Sequence, residues 1–195
     1  GETVVTVDRA RGWAFKVNKI DEKLTDLKGF VGQWTDEGAK ALAEDNEAEF
    51  LADIFSRCDS ANAGNTAGLR SSSYDLGSST TALSIVNSGA ASDHVANAPD
   101  AIAAAAATLS EQPGGMGDDP WIIIPVWMGL RIQTSELKNA SDSGDDQSML
   151  RKSIKALGKI AGFTVYQSNL VKVDTDGNSN KLYNVVFGDR AGITF

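Results

Sequence analysis

The chain has 195 residues, 42% of them hydrophobic and 23% charged, close to globular averages and enough for one well-buried domain or two small pieces sharing a core. Its 18 basic against 26 acidic side chains leave a net charge of −8, the wrong sign for gripping a nucleic-acid backbone. One cysteine, Cys58, and one histidine, His94, exclude an intrachain disulfide and argue against structural zinc. The most apolar run, Trp121 to Val126, falls far short of the roughly 18 residues of a membrane span, and Gly1 to Asp8 lack the basic start and apolar stretch of a secretion signal.

Thr3 to Val7 and Trp13 to Val17, separated by the turn-like Asp8 to Gly12, predict two strands in a hairpin. From Asp21, a candidate N-cap, Leu24, Leu27, Val31 and Trp34 recur at three and four residues, followed by Leu42, Ala48, Leu51, Ile54 and Phe55. That spacing predicts one long helix with Glu, Asp and Lys on its opposite face. Gly29, Gly32 and Gly38 each weaken such a helix by about 1 kcal/mol relative to Ala, and mark bends or close backbone contacts.

Past Cys58 the composition turns to Ser, Gly, Asn, Thr and Ala, which predicts a mobile loop from Asn62 to Ser79 and a short strand within Thr80 to Val86. Ala96 to Leu109, with its alanine block from Ala103 to Ala107, predicts a helix that has Pro99 in its first turn and stops at Pro113-Gly114-Gly115. Trp121 to Val126 reads as a buried strand ending near Pro125. After it come a short helix from Trp127 to Leu137, a mobile acidic loop at Asp142 to Asp146, and a basic helical stretch from Leu150 to Leu157. Gly162 to Tyr166 reads as a strand, Asp174 to Asn178 as a turn, and Leu182 to Phe187 and Gly192 to Phe195 as further strands. Helices and strands mixed this irregularly, with no fixed repeat, indicate an α+β fold.

Asp174, Asp176 and Asn178 reproduce the start of a calcium loop, but Ser179 replaces the sharp-turn glycine and Val185 the closing glutamate, so an ordinary turn is expected. Ser135 and Lys138 match the S-x-x-K spacing of serine acyl enzymes without the companion motifs of that chemistry. His94 reads as a surface or capping residue, and Cys58 as a small buried packing residue. No phosphate loop is present, and Gly114 to Gly117 do not stand between a strand and a helix in the dinucleotide-binding order. Trp13, Trp34, Trp121 and Trp127 fall in apolar patterns, as core or as interface. Asn139-Ala140-Ser141 is a formal glycosylation sequon with no expected use. No catalytic, cofactor-binding or metal-binding residue is assigned.

The order of these segments resembles the major capsid proteins of tailed bacteriophages, which have the HK97-type fold. Gly12 to Asp21 looks like the strand that leads into the spine helix of the peripheral domain, with Glu22 to Arg57 as that helix. The alanine-rich helix before Trp121-Ile122-Ile123-Ile124-Pro125 resembles the helix and buried strand of the axial domain. Leu157-Gly158-Lys159-Ile160-Ala161-Gly162-Phe163-Thr164-Val165-Tyr166-Gln167-Ser168-Asn169 is similar to the family's recurring pattern of two glycines, an aromatic and a strand closing in Ser-Asn. Leu182 to Phe195 looks like the strand pair that follows.

The resemblance implies peripheral-domain-like strands and spine helix over residues 1–57, and an axial-domain-like α+β region with a mixed sheet over 58–195. It implies a structural protein, not an enzyme, that assembles with itself in the bacterial host cytoplasm into an icosahedral shell around double-stranded DNA. Scaffolding, portal or decoration proteins would be further partners, with no sequence-specific nucleic-acid binding, membrane or cofactor. The family's N-terminal arm, most of its extended loop and its returning peripheral strands would lie outside this chain, so a fragment or trimmed subunit is expected. Encapsulin nanocompartments, which look like the same fold and enclose enzymes, are the nearest alternative. A small serine-dependent α+β enzyme using Ser135 with Lys138, and a module binding a peptide or sugar through positions 60–80, are rivals from other classes.

Overall fold

The computed structural model of the chain describes residues 12–14, 28–87, 93–134 and 156–190, apart from the side chains of 28–31 and 156–157. The chain divides into two compact units, Gly1–Phe50 and Leu51–Phe195, and the boundary falls within helix α1 (Lys28–Ser56). Of the expected N-terminal hairpin, only Gly12 to Ala14 are described, without regular structure, and the Asp21 N-cap lies outside the described residues.

Helix α1 is long, as its spacing predicts, but its apolar repeat does not make a core-facing stripe. From Gly32 to Glu47 all positions are exposed except the half-buried Gly38 and Leu42, because acidic and small residues fill the turns between Trp34, Leu42 and Ala48. Burial grows only from Ala48 onward, and Leu51 is 2% exposed. Gly38 is the glycine with a close contact: a Cβ there would stand 2.6 Å from the Trp13 ring, whereas Gly32 has open space around it.

In the second unit, a 3₁₀ turn (Ser60–Asn62) precedes β1 (Ser84–Val86), β2 (Val95–Asn97), α2 (Ala98–Ser110), β3 (Pro120–Pro125) and α3 (Val126–Thr134). They are followed by β4 (Ala156–Ile160), β5 (Phe163–Ser168), β6 (Val173–Thr175), β7 (Lys181–Tyr183) and β8 (Val186–Asp189). This is a mixed α+β architecture. A four-stranded sheet runs in the order β4-β5-β3-β8, with β3 parallel to β5 and the outer pairings antiparallel. β1 and β2 form a separate parallel pair, and β6 and β7 a separate antiparallel one.

The apolar run of β3 points alternate residues to one face, where Ile122 and Ile124 meet Phe163 and Val165 of β5, all at most 1% exposed. Ala98, Ile102, Ala105, Ala106 and Leu109 of α2 pack on this face, together with Met128 and Ile132 of α3. Alanine serves here because its small side chain brings the helix backbone close to the sheet while costing no side-chain entropy. α2 begins two residues later than its propensity suggests, since Ala96 and Asn97 pair with β1. The Asn97 side chain then caps the helix, accepting from the Asp100 N–H at 2.8 Å, with Pro99 in the first turn. β3 stops at Pro125, which brings no N–H to the ladder, and Val126 opens α3 instead of extending the strand.

β4 and β5 are joined by Ala161 and Gly162, both left-handed (φ 49° and 90°), the conformation of a tight two-residue hairpin turn. Gly158 (φ 80°) sits where the register shifts between Ala156 and Lys159, a bulge that only glycine adopts freely. The helical expectation for Leu150 to Leu157 is corrected at its end, because Ala156 and Leu157 belong to β4 and take their pairing from β5; residues 150–155 lie outside the described residues.

Leu182 to Phe187 is likewise not one strand. Asn184 turns its N–H to the Lys172 carbonyl (3.0 Å) and its amide to Asp174 (2.6 Å), which holds β7 on β6, while Val186 onward pairs with β3. The strand expected within Thr80 to Val86 begins only at Ser84, and the helix expected from Trp127 is described as far as Thr134. The acidic loop at Asp142 to Asp146 and the strand at Gly192 to Phe195 lie outside the described residues. Among the described residues no helix is long and apolar enough to cross a membrane.

Two stability measurements follow from this packing. In urea unfolding, Ile102→Ala should cost about 2–5 kcal/mol, whereas Leu130→Ala, at a side chain 61% exposed, should stay within about 0.5 kcal/mol. Ala161→Asn should stabilise the chain by about 1 kcal/mol, because it relieves a left-handed alanine and creates the Asn-Gly pair that this turn favours.

Candidate functional site

The Ser/Gly/Asn-rich stretch after Cys58 was expected to lack anchors, yet it is tied down. Ala67 is fully buried and bridges to Tyr74, and Leu76 packs against the core. Around these points a polar network forms on Asp75. Its Oδ1 accepts from the Gly77 N–H (2.9 Å) and the Asn65 amide (2.8 Å), and its Oδ2 accepts from the His94 N–H (3.1 Å) and the His94 Nδ1 (2.7 Å). A carboxylate only accepts, so the imidazole proton sits on Nδ1. The other Asn65 amide hydrogen goes to the Thr81 carbonyl at 3.0 Å.

His94 is itself left-handed (φ 58°), and its carbonyl accepts from the Ser84 N–H at 2.8 Å. It is therefore the joint between the loop and the β1–β2 pair. Burial opposes the charge on Asp75, but the hydrogen bonds from Gly77, Asn65 and His94 together outweigh it and hold the carboxyl below its ordinary range.

Two further carboxylates organise loops in the same way. Glu111, just past α2, accepts from the Ser71 and Arg70 N–H groups (3.0 and 2.8 Å), and these bonds lower its pKa. Asp176 accepts from the Asn180 side chain and N–H and from the Asn178 N–H, which lower its pKa and close the β6–β7 turn. Asp174 is engaged by the Asn184 amide and by Lys172 at 3.2 Å, again lowering its pKa. Both acidic residues of the half-formed calcium pattern are thus turned onto the hairpin's own donors.

A notch of about 210 Å³ opens at the C-terminal ends of the parallel strands, lined by Pro125, Val126, Trp127, Ser168, Asn169, Val171 and Tyr183. It is smaller than the roughly 300–1,000 Å³ of ordinary small-molecule sites. Tyr183 meets Trp127 edge to face at 5.5 Å, and the Arg131 guanidinium lies 5.5 Å from the centre of the Trp127 ring. Beneath, Gln167 packs its side chain onto Gly129 of α3, where a Cβ would collide with it. Both amide atoms of Gln167 and the Trp127 Nε1 are buried without a hydrogen-bond partner among the described residues.

The sequence-predicted residues are not brought into one place. The side-chain partner of His94 is Asp75, and that contact was missed because the two stand 19 residues apart with no motif linking them. Ser135, Lys138 and the sequon at Asn139 lie outside the described residues. Cys58 is exposed, not a packing residue, because α1 has ended two residues before it. Its thiol contacts the Ile54 carbonyl at 3.2 Å, and partial burial pushes the thiol up, away from reactive thiolate.

Among the described residues no group of three His, Cys, Asp or Glu could hold a metal ion. Exposed large apolar side chains are spread over the surface instead: Val126 and Leu130 one turn apart on α3, Tyr166 on β5, Val173 on β6 and Leu69 in the loop. No family model, curated protein or solved structure matches the chain.

Asp75 adds stability that is fully present above the ordinary carboxylate range and is lost as pH falls through its lowered folded value. Asp75→Asn should therefore cost about 1 kcal/mol at pH 7, and its unfolding curve should converge with that of the unsubstituted chain in acid, below the ordinary carboxylate range. Gln167→Met, which replaces an unsatisfied buried amide by an apolar side chain of similar length, should raise stability by about 1 kcal/mol in thermal or urea unfolding.

Proposed function

We propose that this chain is a structural coat subunit that associates with copies of itself into an icosahedral shell, as the major capsid proteins of tailed bacteriophages do, with an HK97-type fold as the finer description of its α+β architecture. The observation that carries the reading is how the segment resembling that family is used. Gly158 and Gly162 both take left-handed conformations, the aromatic after the second, Phe163, is fully buried, and the strand ends at Ser168. The two glycines and Phe163 thus each have a physical task in the β4–β5 hairpin, beside a strand that ends in Pro125.

Two further features support a structural role. Helix α1 is exposed at most positions from Gly32 to Glu47, which offers neighbouring copies an accessible surface. Apolar side chains are distributed over several surfaces, which suits repeated, individually modest contacts better than a single binding pocket. A net charge of −8 would keep such a subunit from clinging to an enclosed genome.

Particle mass by light scattering, with negative-stain images over a range of protein and salt concentrations, tests the proposal. Rings, sheets or closed shells are expected. Shells that co-purify with a protein cargo instead of nucleic acid would move the reading to a nanocompartment, and monomers at every concentration, from this chain and from one extended to include the arm and loop of the family, would overturn it.

A further inference from the structure

We draw no further inference here: the strongest candidate, the exposed apolar ridge of Val126 and Leu130 on α3 beside the notch at the ends of β3 and β5, carries nothing because nothing in the structure shows what covers it.

Discussion

The second unit depends on the parallel pairing of β3 with β5. These strands bring Ile122, Ile124, Phe163 and Val165 onto one face, and burying each of them is worth about 1.5–3 kcal/mol. That face is what α2 and α3 pack against. Parallel strands cannot be joined by a tight turn, so the chain must leave β3 through α3 and return later, whereas β4 is set beside β5 by two left-handed residues. Local turn chemistry and distant apolar burial thus act on the same strand, β5, from its two sides.

Away from the sheet, order comes from carboxylates. The stretch from Ala61 to Val86 has few large apolar side chains, so hydrophobic burial alone could not offset the entropy of fixing it. Asp75 and Glu111 gather backbone N–H groups that would otherwise need water, and Asp176 does the same in the β6–β7 turn. In an acidic chain these charges act locally as hydrogen-bond acceptors.

Much of the local structure was legible because it depends on near neighbours. The alanine block with Pro99 specified α2 to within two residues, and the apolar run ending in Pro125 specified β3. Asp174 to Asn178 is a turn for the reason its side chains suggest, namely that Asp176 bonds to the backbone two and four residues on. The candidate site was far less legible. His94 could be named as the single imidazole, but its carboxylate partner stands on another part of the loop.

Sequence by itself determined the α+β composition, the positions of α2 and β3 and the acidic balance, because propensity and charge are properties of the residue and its neighbours. Tertiary structure alone decided that Leu182 to Phe187 is shared between two sheets, that Ala156 and Leu157 join a strand, that Cys58 faces solvent and that Asp75 pins His94. Each of those outcomes is fixed by a partner brought close only when the chain folds, and one-dimensional spacing carries no record of it.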